Sequence, residues 1–499
     1  MLHHPSFDDL DARDTLAALE EGVRRRRAAE VDDLLLVARW ADLQGSDPRL
    51  DPRPDPSSPR PPGGDRLEQL GGEGTPKVRE LSLCELGIAR EVHALAARSV
   101  TADVLDLRHR LPRIWALVLD LEAEVWLARK VASMSRVLPV ELVGVVDAAV
   151  ATAIRAESPS RVLTIAEAKV IEADPAGHSA RVAAERERRY VALTRRDPSG
   201  LRTIVARVTA GDAAWIDATV ARVAEILSSR PEHADSSLDL LRSEALGWLA
   251  RPAELLELLL AGSDAPSAVV DGPVPDPDDE SGSEEQQRRA VAFPANLLDA
   301  LRSLDLDLLR PRATLYAHLH EAALTGIAQG VARVEGLGPA SLEQLRDLLG
   351  HARVTVKPVL DLANHLSVNC YEHPESIKER IHLIRPVDAF PHASLTSRKV
   401  DLDHPVPYDP LGPPGQTSTR TSQPLGRRGH RAKTHLGYTA TPVGTGVTLW
   451  RTPHGLPRLV DAAGTHRIDR DLASALMGDD PLDRSLAHLE HQHRTGQLR

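Results

Sequence analysis

The sequence is poor in aromatic residues and in cysteine, and both scarcities narrow the possible structures. Aromatic residues make up 3% of the 499 residues, so a core must consist mainly of Leu, Val, Ala and Ile, which favours helix. Cys84 and Cys370 lie far apart, which excludes a disulfide framework and a zinc site of four thiolates. Two cysteines suit a reducing cytoplasm. The absence of a signal-peptide pattern and of an apolar run of about eighteen residues also predicts a cytoplasmic protein without a membrane span.

Charge is distributed unevenly along the chain. The formal net charge is −11 at pH 7, the wrong sign for a protein that coats nucleic acid. Between Arg385 and His435, however, eight basic residues stand against four acidic ones. We therefore expect a polyanion to dock on this segment while the rest of the chain repels it.

Apolar residues recur at helical spacing over much of the first half of the chain. Short breaks between the periodic stretches are typical of helices that pack antiparallel in a bundle, so the predicted fold class is mainly α. The predicted helices are 12–43, 81–97, 101–111, 115–135, 139–156, 164–173, 178–194, 212–227 and 236–260.

Stretches rich in proline and acidic residues indicate where the chain divides. Residues 46–65 are dense in Pro, Gly, Asp and Ser, and residues 271–285 carry seven acidic residues and no basic one. The predicted segments are an N-terminal helix with a Pro-rich linker (1–63), a helical domain (64–262), an acidic disordered linker (263–292), an α+β continuation (293–373), a C-terminal module (374–470) and a helical or flexible tail (471–499).

Two segments of the α+β continuation alternate as strands do. Residues 312–320 and 352–360 are predicted to pair, with a short helix at 341–349 between them. His318 and His320 would share one face of the first strand, as a pair of metal ligands would. No third ligand is evident nearby, so surface or core histidines are the favoured interpretation.

The residues with most chemical content lie between 400 and 435. Asp403 and His404 close a short apolar run, and neighbouring residues of a regular strand point to opposite faces. Pro405 and Pro407 favour a strand end or bend there, which would let both side chains reach one site. A carboxylate and an imidazole can hold a divalent cation while a second imidazole takes a proton from water. The pattern predicts a one-metal phosphodiesterase site.

The second imidazole, His430, lies in a predicted helix. Arg427, His430 and Lys433 share one face at helical spacing, so cations that suit phosphate oxygens flank the histidine. Gly426 and Gly429 each weaken this helix by up to about 1 kcal/mol relative to Ala, so its packing must stabilise it. The alternative is a pair of polar surface histidines in a basic C-terminal region.

These residues resemble a known nuclease module. Asp-Leu-Asp-His at 401–404, Pro-Leu-x-Arg-Arg-x-His-Arg-x-Lys-Thr-His at 424–435 and Trp-Arg-Thr-Pro-His-Gly at 450–455 are similar to the HNH endonuclease module, specifically the one attached to the 13E12-repeat, DUF222-type helical domain. Gly-Thr-Pro at 74–76 and the helices after it resemble that domain. The resemblance implies a helical N-terminal domain and a small C-terminal ββα-metal (HNH/His-Me finger) module, a hairpin, an Ω-like loop and a helix around one divalent ion.

The resemblance also implies a metal-dependent DNA endonuclease with one divalent ion, such as Mg²⁺ or Mn²⁺. Asp403 and His430 would be the metal ligands and His404 the general base. The middle Asn of the family pattern would fall at Thr421, which therefore joins the predicted catalytic residues. The predicted phosphate- or DNA-binding residues are Arg427, Arg428, Arg431, Lys433 and His435.

Thr421 keeps other interpretations open. Its hydroxyl is a poorer ligand and a shorter tether than an Asn amide, and Thr419, Ser422 or Gln423 is the alternative that would take over this role. A nucleic-acid-binding protein with a degenerate, catalytically inactive module is the second interpretation, and a helical interaction protein whose HNH part is a relic is the third. DNA is the expected partner. Its specificity, the metal and the oligomeric state stay open.

Many relatives in the family also carry a structural zinc on Cys or His residues. The matching positions here are Asp388, Ala393, Gly426 and Gly429, which bear no thiol or imidazole. We therefore predict no structural zinc and expect apolar residues to stabilise the module instead. The expected apolar residues are Ile377, Ile381, Ile384, Phe390, Leu402, Val406 and Leu425.

Overall fold

The computed structural model describes residues 7–52, 62–194, 197, 201–261, 317–318, 331–334, 338–349, 365–478 and 489. Helices dominate these residues and the strands form small antiparallel sheets, which confirms the mainly α class. None of the helices described is long and apolar enough to cross a membrane. The predicted acidic linker lies outside the described residues.

The chain divides into two compact units. One unit joins Met1–Val182 with Val356–Arg499, and the other is Ala183–Thr355. This division does not follow the predicted segments, because the helical region 64–262 contributes to both units and the two ends of the chain belong to one.

The first unit begins with a helical region. Val100, Ile114 and Val146 are fully or almost fully buried in one continuous core, as their apolar periodicity predicts. The elements in this region are α1 (Ala12–Leu43), β1 (Leu67–Gln69), β2 (Lys77–Arg79), α2 (Ser82–Ala89), α3 (Ala94–Arg110), α4 (Pro112–Leu119), α5 (Val125–Ser135), α6 (Val143–Ala153), α7 (Pro159–Ala173) and α8 (Pro175–Glu187), of which α8 runs across the border between the units.

Two predicted helices of the first unit are wrong because each is split in the structure. The predicted helix 236–260 of the second unit is wrong for the same reason, since it ends at Trp248 and a new helix begins at Pro252. The predicted helix 81–97 is interrupted at Glu91, whose φ is 56°, and the predicted helix 115–135 is interrupted at Leu121, whose φ is 62°. A left-handed residue cannot continue a right-handed helix. Neither Gly nor Pro marks these positions, so the sequence pattern missed both breaks.

The second unit contains a hairpin, helices and a small sheet. The predicted helix 178–194 is wrong after Glu187, because Tyr190–Leu193 pairs antiparallel with a strand that contains Ile204 and Val205, whose β-branched side chains favour strands. The elements are β3 (Tyr190–Leu193), β4 (Ile204–Arg207), α9 (Ala210–Ser228), α10 (Leu238–Trp248), α11 (Pro252–Ala261), β5 (Ala317–His318), β6 (Val331–Val334), β7 (Gly338–Ser341) and α12 (Leu342–Leu349). His320 and residues 352–360 lie outside the described residues, as do their predicted pairings.

The last part of the first unit carries the segment of interest. Strand β9 pairs antiparallel with β11, β10 pairs with β8, and β12 to β15 form an antiparallel sheet in chain order. The elements are β8 (Ser367–Val368), α13 (Glu375–Ile384), β9 (Asp401–Asp403), β10 (Thr417–Ser418), β11 (Gln423–Leu425), α14 (Arg427–Leu436), β12 (Thr439–Gly444), β13 (Val447–Arg451), β14 (Pro457–Asp461), β15 (Gly464–Arg467) and α15 (Arg470–Met477).

Helix α14 packs on the N-terminal helical region. Cys84 and Ile88 of α2 share a buried cluster with Leu425, Ala432 and Trp450. The residues that meet here are separated by more than 300 positions in the sequence. The helix that carries His430 is therefore stabilised by tertiary packing. The expectation that two glycines weaken it is wrong for Gly426, which is the N-cap residue, whereas Gly429 lies within the helix.

Candidate functional site

Strands β9 and β11 place Asp403 at the end of a short antiparallel ladder. Asp403 lies opposite Gln423, and the Gln423 side-chain Nε2 donates to Asp403 Oδ2 at 3.2 Å. The strand ends at Asp403, so His404 leaves the ladder at the point that Pro405 and Pro407 predict. Asp403 is 4% exposed and His404 is 8% exposed. The chain thus buries a carboxylate and an imidazole in adjacent positions.

Helix α14 brings two cationic or basic side chains to Asp403. His430 Nε2 lies 3.3 Å from Asp403 Oδ1, and Lys433 Nζ donates to both carboxylate oxygens at 2.8 and 2.9 Å. Lys433 also donates to the backbone carbonyl of His404. The structure therefore brings together Asp403 and His430, the predicted metal ligands, and adds an ammonium group that neutralises the same carboxylate.

A second layer of hydrogen bonds holds Gln423 in place. The side-chain Oε1 of Gln423 accepts from Arg385 Nη1 at 3.4 Å and from Thr448 Oγ1 at 3.2 Å. Burial lowers the pKa of Arg385 to about 10. Because its carbonyl oxygen is occupied, the amide nitrogen of Gln423 is directed at Asp403. Sequence reasoning named Gln423 only as a possible substitute for Asn, and the pairing opposite Asp403 is the signal that assigns its contact.

His404 is held by a residue that sequence reasoning missed. His404 Nε2 lies 2.8 Å from Thr417 Oγ1, and the Thr417 hydroxyl also donates to the backbone carbonyl of Cys370. Thr417 is fully buried on β10. Its place 13 positions after His404 carries no helical or strand periodicity, so only the folded loop reveals the contact.

Aromatic and imidazole rings surround His404. The ring centroids of Tyr371, His373 and Tyr408 lie 5.5, 4.6 and 5.6 Å from that of His404. Burial lowers the pKa of His404 below its ordinary value, although the charge of Asp403 opposes this shift. Burial, with a contribution from His404, also lowers the pKa of His373 to about 4. Both rings therefore favour the neutral form, which for His404 is the form able to accept a proton.

Thr421 closes a turn next to Thr417. The Thr421 hydroxyl donates to the Gln416 carbonyl at 2.7 Å and lies 2.7 Å from the Ser418 hydroxyl, which accepts from the Thr421 N–H at 3.1 Å. Thr421 itself is exposed. Through its bond to Gln416, Thr421 fixes the segment whose next residue, Thr417, contacts His404.

The three alternatives to Thr421 have different partners. The Thr419 hydroxyl accepts from the backbone N–H of Leu366 at 3.3 Å, and the Ser422 hydroxyl lies 2.9 Å from His373 Nε2. Among the three, Gln423 is the one that contacts the predicted metal ligand Asp403.

Two predicted phosphate-binding residues contact the N-terminal part of the unit instead. Arg431 Nη1 donates to Glu80 Oε1 at 2.9 Å, and Arg431 Nε donates to the Gly63 carbonyl at 2.7 Å. Burial lowers the pKa of His435, and a hydrogen bond with the backbone of Pro62 partly opposes this shift. Arg431 and His435 therefore help to hold α14 against residues 62–80.

The other predicted phosphate-binding residues differ in exposure. The side chain of Arg427 is 78% exposed, and its Nε lies 3.1 Å from Asp401 Oδ2. Arg428 is half-buried, and its Nη1 has no hydrogen-bond partner among the described residues. Lys433 is bound to Asp403. Arg427 is thus the member of the predicted set best placed to meet a nucleic acid.

The positions matched to a zinc site in relatives are filled by other groups. A methyl group at Gly429 would lie 2.7 Å from the Phe390 ring, and one at Gly426 would lie 2.5 Å from Asp388 Oδ2. Phe390 also contacts Trp450, with ring centroids 5.2 Å apart. Phe390 occupies the space that a side chain at Gly429 would need. The donor set offers a single carboxylate and does not fit a zinc ion.

The apolar residues expected to form the core of this module differ in how far they are buried. Phe390, Leu425, Ile377 and Ile381 are buried, as predicted. Val406 is wrong as a core residue, because it lies beyond the end of β9 at Asp403 and is 67% exposed. Leu402 and Ile384 are half-buried.

The residues around Asp403 offer two ligands to a divalent ion. Among the described residues, no group of three or more His, Cys, Asp or Glu side chains is arranged to hold a metal. A magnesium-like ion often takes only one or two protein ligands and completes its shell with water and substrate phosphate. Asp403 supplies one carboxylate, His430 adds an imidazole beside it, and Lys433 contacts both carboxylate oxygens. No family model, curated protein or solved structure matches the chain.

Proposed function

We propose that the protein is a metal-dependent DNA endonuclease with an HNH-type site. The observation that carries the proposal is the proximity of Asp403 Oδ1 and His430 Nε2, 3.3 Å apart, with the buried His404 adjacent to the same carboxylate. The chain order of β9, a loop, β11 and α14 supports a ββα-metal module of the kind that the sequence resemblance implies.

Asp403 and His430 would hold the divalent ion. When bound, such an ion supplies positive charge to the phosphodiester and to its leaving 3′-oxygen. Gln423 orients the carboxylate through its bond to Oδ2. Groups that orient a ligand in this way commonly change metal affinity when they are replaced.

His404 acts as the general base in this proposal. Its imidazole takes a proton from water, the water oxygen forms a bond to phosphorus, and the bond from phosphorus to the 3′-oxygen breaks. The leaving oxygen takes a proton from solvent, and His404 returns its own proton to solvent. Burial favours the neutral imidazole by lowering its pKa.

The DNA backbone is the expected polyanion. Arg427 lies at the start of α14 with its side chain largely exposed, and Lys399 and Arg420 are exposed in the same segment of the chain. These cations suit phosphate oxygens. Because the chain as a whole has a net charge of −11, binding should depend on these exposed cations and weaken with salt.

A plasmid nicking assay with Mg²⁺ or Mn²⁺ tests the proposal. His404→Ala should slow nicking by roughly 10²- to 10⁴-fold, the usual contribution of a general base. His365→Ala is the matched control, since His365 is exposed and lies outside the site. If the wild-type protein nicks plasmid DNA no faster than His404→Ala, the proposed endonuclease activity is refuted.

A DNA-binding protein with an inactive module is the second candidate. The Lys433 ammonium on Asp403 and the Thr in the position of the family Asn favour it. This candidate predicts salt-dependent DNA binding that His404→Ala leaves unchanged, with no nicking by wild type. Binding without salt dependence would contradict both candidates, because phosphate contacts release counterions.

A further inference from the structure

The hydrogen bonds of Thr417 have a direction that can be assigned from chemistry. The Thr417 hydroxyl has one proton and lies between two groups, the Cys370 carbonyl and His404 Nε2. A backbone carbonyl can only accept, so the hydroxyl proton points at Cys370. The contact of 2.8 Å with His404 then requires the imidazole to donate from Nε2.

We infer that Thr417 is a positioning residue that holds His404 as the Nε2–H tautomer and presents the lone pair of Nδ1 as the basic atom. A neutral imidazole has one N–H, so a donor at Nε2 leaves Nδ1 unprotonated. The inference rests on the proposed function for the role of Nδ1 as base. The tautomer itself depends only on the contacts of Thr417.

Because both residues are buried, His404 depends on Thr417 as the hydrogen-bond acceptor for its Nε2–H. Thr417 is 0% exposed and His404 is 8% exposed, so little water is available to replace a lost partner. A buried N–H without an acceptor is unfavourable enough to change the tautomer or the orientation of the ring. The flanking rings of His373 and Tyr371 restrict the planes that His404 can adopt, and Thr417 distinguishes its two nitrogens.

Thr417 is itself held by the local backbone. It pairs in register with Val368 on β8, and the next residue but one, Thr419, donates its backbone N–H to the Leu366 carbonyl. The Thr421 hydroxyl binds the carbonyl of Gln416, the residue before Thr417. Thr421 thus acts on His404 through the loop, while Thr417 touches it directly.

The experiment compares three variants of the full-length protein. Thr417→Val replaces the hydroxyl with a methyl group of similar size, and Thr417→Ser keeps the hydroxyl. Thr419→Val is the matched control, because it removes a buried hydroxyl from the same loop. In the part of the chain that the structure describes, this hydroxyl accepts from the backbone N–H of Leu366. Histidine-labelled ¹⁵N spectra report the tautomer of His404, assigned by its loss in His404→Ala, and nicking rates report kcat and KM.

We expect wild type, Thr417→Ser and Thr419→Val to show the Nε2–H tautomer, and Thr417→Val to lose it. Nicking by Thr417→Val should fall roughly 100-fold in kcat with little change in KM, as expected when a base is misplaced. Thr417→Ser should stay within a few-fold of wild type.

Two results would overturn the inference. One is a Thr417→Val protein whose His404 keeps the wild-type ¹⁵N signals. The other is equal loss of the tautomer in Thr417→Val and Thr419→Val, which would assign the effect to loop packing. If His404→Ala nicks as fast as wild type while Thr417→Val still shifts the tautomer, the nuclease proposal fails and the positioning of His404 by Thr417 stands.

Discussion

Helix α14 borders two buried places, and the chain fills them with opposite chemistry. One, which we call the Asp403 site, comprises Asp403, Gln423, His430 and Lys433. Its carboxylate has a partner for each oxygen, and the layer behind it is polar as well. The buried Asp403 carboxylate is therefore surrounded by polar side chains and not by apolar ones.

The other place, which we call the Phe390 site, comprises Asp388, Phe390, Gly426 and Gly429. Here the glycines leave room for a ring and a carboxylate, and Phe390 packs on Trp450 of the core. Burial raises the pKa of Asp388, although the backbone N–H groups of Phe390 and Gly426 oppose this shift. Apolar packing stabilises this side of the helix.

The difference shows that the two sites are separable. His430 and Lys433 lie on the face of α14 that meets Asp403, whereas Gly429 meets Phe390. A helix turns 100° per residue, so adjacent residues serve different neighbours. The apolar packing on one side of α14 is therefore made by different residues from the polar groups that the proposed chemistry needs.

The largest expected effect comes from removing the ring that fills the second site. Phe390→Ala should lower the free energy of unfolding by about 3–5 kcal/mol, because a buried ring is replaced by a cavity. Urea unfolding followed by circular dichroism measures this loss. Leu411→Ala is the control: Leu411 is 96% exposed, so its replacement should change stability by about 0.5 kcal/mol or less.

The Phe390 variant also tests whether the sites are separable. Below its unfolding transition, Phe390→Ala should bind Mn²⁺ with the affinity of wild type. A parallel loss of Mn²⁺ binding in fully folded protein would show that the two sites act as one. Added zinc should not restore its stability, since Asp388 is the single ligand at the matched positions.

A smaller effect is expected from the ammonium in the Asp403 site. Lys433 binds both oxygens of the carboxylate, so it competes with a divalent ion for the same charge. Lys433→Met should strengthen Mn²⁺ binding about tenfold, equivalent to about 1.4 kcal/mol, as measured from free Mn²⁺ by electron paramagnetic resonance. Lys399→Met, at an exposed lysine, should leave the affinity unchanged. If Lys433→Met binds Mn²⁺ more weakly than wild type, Lys433 helps to bind the ion and does not compete with it.

Local chemistry was predictable from the sequence. Helix α1 spans residues 12–43 as its periodicity predicts. The proximity of Asp403 and His430 also followed from a strand end and a helical face. Each of these features depends on residues that are close in the sequence or belong to one recognisable motif.

Contacts between distant segments were not predictable. The sequence predicts Arg431 as a phosphate ligand, but the guanidinium binds Glu80, 351 positions away. The same holds for Cys84 and Ile88, which complete the core beneath α14. Thr417 escaped notice because a loop conformation, not a period, brings it to His404. Charge and spacing identify candidate residues, but tertiary contacts decide which of them stay available.

The smallest expected effect concerns Thr421, where the sequence resemblance predicts an Asn. Thr421→Asn should change the nicking rate by less than about threefold, equivalent to about 0.6 kcal/mol, because Thr421 is exposed and its hydroxyl already ties the loop at Gln416. Thr434→Asn, an exposed threonine on α14, provides the baseline for a neutral change. A tenfold faster Thr421→Asn enzyme would mean that the loop tether limits the rate. It would also mean that the buried hydrogen bonds of the Asp403 site are not sufficient to position the groups that the proposed reaction needs.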